Sequence, residues 1–353
     1  MSPKHWLVAY GENIPCEIDP DVHGSVLELL EAAMRRYADK PAFRCFGQTL
    51  TYADSDRLSR NFAAYLQGKL GVKKGDRIAV MLPNIPAFPL AMIGIVRAGG
   101  VQVNVNPLYT PRELEHQLND AGVETIVIFN GVSGTLAEII DKTGVRQIIN
   151  VRPSDGIDAE LPSPALDPRL TNAVAFSSVL AAGAELDFKP VSLAGADLLF
   201  LQYTGGTTGL SKGAALSHRN LVANAEQFKA FLGDALCPGE DVVVTALPLY
   251  HIFALMLNFI AYYSIGAENW LVPNARDIDS LVETLRQSRC TAFTGVNTLF
   301  GGLVGHPKIA EVDFSRLRAV IGGGAAVLPT TSAKWKALTT SAKAMDFRKP
   351  RQS

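Results

Sequence analysis

Cysteine is scarce in this sequence. The 353 residues contain four, Cys16, Cys45, Cys237 and Cys290, and none of them stands in a C-x-x-C pair. Such wide spacing argues against a disulfide-stapled secreted scaffold and against a cysteine-based zinc site. We expect reduced, structural thiols, as in a cytoplasmic protein.

A charge excess and a long apolar run are also missing. The 33 lysines and arginines balance 34 aspartates and glutamates, for a formal net charge of -1, so no basic field is present to hold nucleic acid. The most apolar stretch, residues 252–267, contains Asn258. It is shorter than the ~20 residues of a membrane-spanning helix, which predicts a buried helix. No apolar segment follows a basic start at the N-terminus, so we expect no secretory signal.

The sequence does have an ordinary globular composition and an alternation of strand and helix patterns. Hydrophobic residues make up 48%, and the length favours two subdomains or one large α/β domain. Helical spacing at residues 26–38 and strand patterns at residues 42–52 precede the alternation, which covers residues 77–151 and includes a predicted helix at residues 134–144. The pattern predicts right-handed βαβ crossovers and a mostly parallel sheet. Residues 152–197, rich in Pro, Ala, Ser and Asp, are predicted to form an irregular surface segment.

The strongest chemical signal is a glycine- and threonine-rich segment that directly follows an apolar strand. Residues 197–220 read DLLFLQYTGGTTGLSKGAALSHRN, with a helix predicted from about His218. Glycines let the backbone approach an anion, threonine hydroxyls donate hydrogen bonds, and a lysine supplies a point charge. The alternative is a glycine-rich turn without a ligand. The predicted phosphate-binding residues are Thr204, Gly205, Gly206, Thr207, Thr208, Gly209 and Lys212.

This segment is not a P-loop, because Gly213 follows Lys212 where a P-loop has the serine or threonine that holds Mg²⁺. It resembles instead the nucleotide-binding signature of the adenylate-forming superfamily, which includes acyl-CoA synthetases. Three more stretches, residues 103–122, 245–255 and 294–303, are similar to bacterial long-chain fatty acid:CoA ligases, and the resemblance covers about residues 25 to 338.

The resemblance implies the N-terminal subdomains of that α/β fold, with mostly parallel sheets flanked by helices. It also implies activation of a fatty acid by ATP to an acyl-adenylate and then to an acyl-CoA, with ATP, Mg²⁺, the fatty acid and coenzyme A as ligands. A cytoplasmic location is expected, with peripheral association on the inner face of the membrane left open. The resemblance does not specify the oligomeric state.

His251 stands at the head of the apolar run, where a histidine without other information is more often part of the core. The resemblance reverses that preference. It implies a residue beside the carboxylate and the reacting phosphate, which would act with Lys212 in catalysis by stabilising charge. Phe253, Leu255 and Met256 are candidates for an acyl tunnel, with core packing an equally good explanation.

A second glycine-rich turn ends a predicted strand near the C-terminus. Small residues at the carboxyl end of a parallel strand let a ligand approach the backbone, and a plain turn is the alternative. In similar synthetases this turn contacts the acyl group and the adenine. The residues concerned are Gly322, Gly323, Gly324 and Ala325. The charged positions Arg112, Glu113, Glu115 and His116 are predicted to be solvated helix surface.

After this turn the chain departs from the family pattern, which continues with Tyr-Gly-x-Ser/Thr-Glu, whose glutamate holds Mg²⁺, and later with a small C-terminal domain that carries a catalytic lysine. The sequence therefore assigns no metal ligand. One permitted choice of codons for residues 341–353, read two bases later, gives REGYGLSETSPE, which contains the missing motif. We expect a frameshift near Thr339 or Thr340, with residues 1–338 as a partial AMP-binding domain and residues 339–353 as a frameshifted tail.

The 353-residue polypeptide is accordingly expected to lack acyl-CoA synthetase activity and to aggregate. Two other functions stay open. One is a non-catalytic remnant that binds a nucleotide or a lipid, or a pseudogene product. The other is a ligase on the same fold for another carboxylic acid, such as an aryl or a medium-chain acid.

Overall fold

A computed structural model describes residues 5–10, 13–204 and 211–339 of the chain. Two β-sheets organise it, and helices cover their faces. The strands are β1 (Pro41–Cys45), β2 (Gln48–Thr51), β3 (Arg77–Met81), β4 (Val101–Asn104), β5 (Thr125–Phe129), β6 (Gln147–Val151), β7 (Val174–Ala175), β8 (Leu198–Thr204), β9 (Lys212–Ser217), β10 (Val242–Thr245), β11 (Glu268–Leu271), β12 (Ala292–Gly295) and β13 (Ala319–Gly322).

Apart from α1, which precedes β1, and α12, which follows β13, the helices lie between strands, as βαβ crossovers require. They are α1 (Val26–Arg36), α2 (Tyr52–Gly68), α3 (Ala87–Arg97), α4 (Pro111–Asp120), α5 (Ser133–Ala137), α6 (Phe176–Ala184), α7 (His218–Leu232), α8 (Ile252–Ala254), α9 (Tyr262–Ser264), α10 (Ile278–Ser288), α11 (Asn297–Val304) and α12 (Pro329–Leu338). A π-helix, Leu255–Ala261, joins α8 to α9. Within the described ranges, none of the helices combines the length and apolar character needed to cross a bilayer.

The seven-stranded sheet has the order β7-β6-β5-β3-β4-β8-β9. All its neighbouring strands are parallel except β8 and β9, which form an antiparallel hairpin. The six-stranded sheet has the order β13-β12-β10-β11-β1-β2, and only β1 and β2 pair antiparallel. The predicted fold class, mostly parallel sheets flanked by helices, is therefore confirmed.

One apolar core joins the two sheets. Every residue of α3 is buried, and this helix belongs to the same buried cluster as apolar residues of α1, α2, α6 and α7 and of both sheets. A second, smaller cluster lies under α4 and α5 on the seven-stranded sheet. Burial of this kind stabilises by roughly 25 cal/mol per Å² of apolar surface, so the arrangement of the two sheets is fixed by packing.

Helix starts follow local sequence signals. Thr110 accepts a hydrogen bond from the Glu113 amide while the Glu113 carboxylate accepts one from the Thr110 amide, and Pro111 occupies the first helical position of α4. Ser217 and Asn220 form the same reciprocal cap at the start of α7. Such caps satisfy backbone donors that the helix itself leaves without partners.

Three sequence predictions were wrong in detail. The segment 152–197 contains α6, whose Phe176 and Val179 are buried, because three apolar positions in an uncharged stretch are enough to dock it on α2. The predicted helix at residues 134–144 is short and broken, with α5 ending at Ala137 and a 3-10 turn at Ile140–Lys142. Between the glycine–threonine loop and α7 the structure has the strand β9, which no sequence signal predicted.

Candidate functional site

A cleft of about 600 Å³ opens at the carboxyl ends of β4 and β8. These strands are parallel neighbours, and their last residues, Asn104 and Thr204, both line the cleft. Tyr250 and His251 reach it from the six-stranded sheet, since they follow β10. Carboxyl ends of parallel strands are where α/β folds bind ligands, because the backbone there is accessible. The cleft therefore combines residues from both sheets.

The predicted phosphate segment is the loop of the β8–β9 hairpin. Thr204 pairs with Lys212 across the hairpin, so the intervening loop starts and ends beside the cleft. Both side chains are exposed, and Lys212 forms no ion pair with any residue that the structure describes. The predicted residues Gly205, Gly206, Thr207, Thr208 and Gly209 lie outside the described residues.

Packing explains why glycine follows Lys212. A Cβ atom at Gly213 would lie 2.9 Å from the ring of Tyr203, closer than real side chains approach. The Tyr203 hydroxyl donates a hydrogen bond of 2.5 Å to the Asp120 carboxylate. Burial, and then the neighbouring Asp120, raise the pKa of Tyr203. The ring is thus held against β9 at the base of the loop.

His116 was wrongly predicted to be solvated surface. Arg112 and Glu113 are exposed as expected, but Glu115 and His116 are half-buried, and His116 lines the cleft. Its Nε2 lies 3.0 Å from the Ser211 carbonyl oxygen and donates to it. Tyr109 hydrogen-bonds the side chain of Ser211 as well. These contacts hold the residue that precedes Lys212, and no local sequence signal indicated them.

His251 is exposed at the cleft, so the core-histidine interpretation is contradicted. It is the N-cap residue of α8, where its Nδ1 accepts a hydrogen bond of 3.3 Å from the Phe253 amide. Behind it Leu255 and Met256 are buried in the main core while Phe253 is half-buried. Core packing therefore accounts for the first two, and Phe253 is the one of the three that borders open space.

The second glycine turn contacts this same region indirectly. Gly322 is the last residue of β13 and pairs with Gly295. A Cβ atom at Gly323 would lie 2.7 Å from the Phe253 ring, and Gly324 has a φ of 74°, which favours glycine. Gly322, Gly324 and Ala325 are exposed. The turn thus packs beside the start of α8, two residues after His251, but does not line the 600 Å³ cleft.

A magnesium ligand is not evident among these residues. Across residues 5–10, 13–204 and 211–339, no three or more His, Cys, Asp or Glu side chains gather as a metal site. Glu113 is the one carboxylate among the described residues that line the cleft. Its oxygen accepts hydrogen bonds from the amide and hydroxyl of Thr110 at 2.8 Å, which lowers its pKa. The described residues therefore fit a phosphate group better than a metal ion.

Comparison with known proteins gives a consistent result. The sequence pattern of the family described as AMP-binding enzyme matches residues 30–345. A long-chain-fatty-acid–CoA ligase of Salmonella typhimurium is 46% identical over 347 residues, which cover 95% of this chain and 62% of that protein. The protein of the same name from Haemophilus influenzae is 39% identical over 351 residues, with the same two coverages.

A solved structure shares the fold. A long-chain-fatty-acid–CoA ligase from Archaeoglobus fulgidus superposes with a TM-score of 0.78 at 24% identity, covering 95% of this chain and 65% of that chain. At that identity the likeness concerns the fold alone. The chain spans about 62% of the length of the curated relatives it matches.

Proposed function

The chain belongs to the AMP-binding enzyme family, and on that premise we propose that it carries the phosphate- and carboxylate-binding cleft of a long-chain fatty acid:CoA ligase. One observation carries the proposal. The two ends of the glycine–threonine loop, Thr204 and Ser211, line the same cleft as His251. Lys212 is not one of the residues that line the cleft, but it pairs with Thr204 across the hairpin.

The proposed reaction has two steps. A carboxylate oxygen of the fatty acid attacks the α-phosphorus of ATP, and the bond between the α- and β-phosphates breaks, which gives the acyl-adenylate and pyrophosphate. The sulfur of coenzyme A then attacks the acyl carbon, the bond to AMP breaks, and the thiol proton is lost. Both steps move negative charge, so fixed cations and donors lower their barriers.

Within this scheme the hairpin loop would hold the polyphosphate. Lys212 would balance its charge and Thr204 would donate from its hydroxyl, with the predicted loop residues between them. His251 would stabilise charge at the reacting carboxylate and phosphate and would not act as a nucleophile. The turn of Gly322, Gly323, Gly324 and Ala325 would border the acyl group and the adenine, which its contact with Phe253 supports.

Mg²⁺, when bound, would neutralise the phosphate oxygens of ATP. Because Glu113 is already hydrogen-bonded in the cap of α4, we assign no protein ligand for Mg²⁺.

A cytoplasmic location and peripheral association with the inner membrane face stay predictions. So do the division at residue 338 and the frameshifted tail, since residues 340–353 lie outside the described residues. Sequencing the DNA downstream of codon 339 in three frames would test that division.

The proposal is tested first by phosphate binding. Lys212→Ala should weaken binding of inorganic pyrophosphate to the 353-residue chain by about 1.5–3 kcal/mol, or roughly 10- to 150-fold, as expected for a charged hydrogen bond. Calorimetric titration measures this. Lys69→Ala is the matched control, because Lys69 is also exposed and forms no ion pair with a described residue. Equal affinity in both variants would contradict the assignment of the loop.

The chain spans 62% of the length of its relative from Salmonella typhimurium. The whole reaction is therefore assayed in a fusion that joins residues 1–338 to the remaining length of that relative. We expect the fusion to form acyl-CoA from ATP, coenzyme A and oleate in preference to octanoate or benzoate. Preference for benzoate or octanoate would favour a ligase for another acid. No product with any acid would favour a non-catalytic remnant.

A further inference from the structure

The segment that leads to His251 belongs to no strand and no helix. Residues 246–251, hereafter the connecting segment, run from the end of β10 to the start of α8 and contain Pro248. A turn bond joins the His251 amide to the Pro248 carbonyl oxygen at 3.0 Å. Because the connecting segment is not paired in a sheet or a helix, other groups must bind the remaining backbone donors and acceptors of this segment.

Asn84 supplies two of those bonds, and a third to the last residue of β10. It follows β3 in the seven-stranded sheet and is 4% exposed. Its Nδ2 donates to the carbonyl oxygens of Thr245 and Leu247 at 3.0 and 2.9 Å, and its Oδ1 accepts from the Leu249 amide at 2.8 Å. One carboxamide thus binds every second residue, Thr245, Leu247 and Leu249, of the stretch that leads to His251.

Gln202 binds the next residue. It lies in β8, two residues before Thr204, and is 5% exposed. Its Nε2 donates to the Tyr250 carbonyl oxygen at 3.2 Å, and its Oε1 accepts from the Asn104 amide group at 3.0 Å. The strand that leads into the phosphate loop is therefore hydrogen-bonded to the residue immediately before His251.

We propose that Asn84 and Gln202 are positioning residues that together fix His251 relative to the phosphate loop. Both carboxamides come from the seven-stranded sheet and both bind the connecting segment of the six-stranded sheet, so they set the distance between the two halves of the cleft. The geometric part of this inference rests on the hydrogen bonds alone. Its consequence for catalysis rests on the proposed function.

A purely structural role predicts a different result. If the two amides only stabilised the core, their loss would lower the free energy of unfolding and leave the surroundings of His251 unchanged in the folded fraction. If they position His251, the imidazole should report their loss even in variants that fold well. The test must therefore observe His251 itself.

The experiment uses the soluble, monodisperse fraction of the 353-residue chain, since aggregation is expected from the sequence, and labels it with ¹³C at the histidine Cε1 atoms. The six histidines give separable signals in a ¹H–¹³C spectrum, and His251→Gln assigns the relevant one. Asn84→Asp removes the Nδ2 group that donates to Thr245 and Leu247, and Gln202→Glu removes the Nε2 group that donates to Tyr250. Both changes keep the size of the side chain. Gln202→Met removes that donor and also the Oε1 acceptor of the Asn104 bond, without adding a charge, in case the acidic variants do not fold. Circular dichroism shows which variants are folded.

Asn130→Asp is the matched control. Asn130 directly follows β5 of the seven-stranded sheet, is also buried, and donates to a backbone carbonyl oxygen, that of Pro164 at 3.1 Å. We expect Asn84→Asp and the Gln202 variants to shift the His251 signal, with the signals of His218 and His306 unchanged, and Asn130→Asp to leave the His251 signal as in the wild type. An unshifted His251 signal in the folded Asn84 and Gln202 variants would overturn the inference.

The fusion assay separates this inference from the proposed function. In the fusion, Gln202→Met should lower kcat for acyl-adenylate formation about 10- to 100-fold, as a small misplacement of a catalytic group does, with the KM for ATP changed less than about twofold. A raised KM with unchanged kcat would contradict positioning of His251. If the wild-type fusion has no activity, the proposed function fails, and the histidine spectrum still decides the positioning of His251.

Discussion

The starts of α7 and α8 place a histidine in opposite environments by means of the same type of hydrogen bond. His218 begins α7 and is 1% exposed, and its Nδ1 accepts from the Val26 amide of α1, 192 residues away, at 3.2 Å. His251 precedes α8 and is exposed, and its Nδ1 accepts from the Phe253 amide two residues away. The distant donor draws one ring into the core, while the local donor leaves the other ring at the cleft.

The environment of His218 also changes its protonation. Burial lowers the pKa of His218 to about 4, and nearby Lys74 adds to this while Asp197 opposes it. A neutral ring is required there, since a protonated Nδ1 could not accept the Val26 hydrogen. An apolar neighbourhood in the sequence therefore does not reveal which histidine is buried. Both rings accept a hydrogen bond from a backbone amide, and they differ in whether that amide belongs to a distant helix or to the next turn of the chain.

The largest effect should follow from removing the buried ring. His218→Ala leaves the Val26 amide buried without its acceptor and opens a cavity, which together should lower the free energy of unfolding by about 3–5 kcal/mol. Urea denaturation of the 353-residue chain measures this. His218→Gln should lose less, because its side-chain oxygen can accept the same hydrogen. If the free energy of unfolding of His218→Ala lay within about 1 kcal/mol of the wild type, His218 would stabilise the fold no more than His251 does.

A smaller effect should follow from pH. The folded pKa of His218 is about 4 and the unfolded value is about 6.5, so between these values the unfolded chain binds more protons. Stability should therefore be highest above pH 6.5 and fall as the pH drops toward 4, by up to about 3 kcal/mol.

The measurement is the urea midpoint of the wild type and of His218→Gln at a series of pH values between 7.5 and 4.5. Carboxylates whose pKa is lowered, such as Asp167 and Glu283 at about 2, contribute to both proteins, so the difference between the two curves isolates His218. Parallel curves over this range would show that the buried ring does not titrate as its environment requires.

Much of the fold could be predicted from periodicity, because long helices and β-branched strands carry their own signals. The elements that were missed lack such signals. The β9 strand, KGAALS, has no β-branched or aromatic residue, and it forms because β8 offers an antiparallel partner. The α6 helix is uncharged and short, and packing on α2 holds it. Tertiary contacts determined both elements, which local propensity cannot show.

Only the residues of the candidate site that belong to recognisable sequence motifs could be predicted. The loop and His251 stand out in the sequence by residue type, and the structure brings Thr204 and His251 to one cleft. His116, Asn84 and Gln202 do not stand out, because they bind backbone groups of Ser211, Leu249 and Tyr250, which lie 95, 165 and 48 residues away. A backbone partner leaves no mark in the sequence, so such contacts become visible only in three dimensions.

The smallest effect on stability should come from His251→Ala. Its side chain is exposed, and its hydrogen bond with the Phe253 amide caps a three-residue helix. The Phe253 amide can bind water in place of the imidazole, so the free energy of unfolding should fall by less than about 1 kcal/mol.

The same change, His251→Ala, should in the fusion lower the rate of acyl-adenylate formation by about 100-fold or more, as the loss of a donor to developing charge does. His251→Gln, which keeps a donor, should recover part of the rate. Denaturation and adenylate assays on both histidine variants should therefore give opposite results. His218→Ala should lose stability, and His251→Ala should lose the rate of adenylate formation. If His251→Ala instead unfolded easily and kept its rate, the exposed ring would belong to the scaffold, and the charge-stabilising role would pass to another group at the cleft.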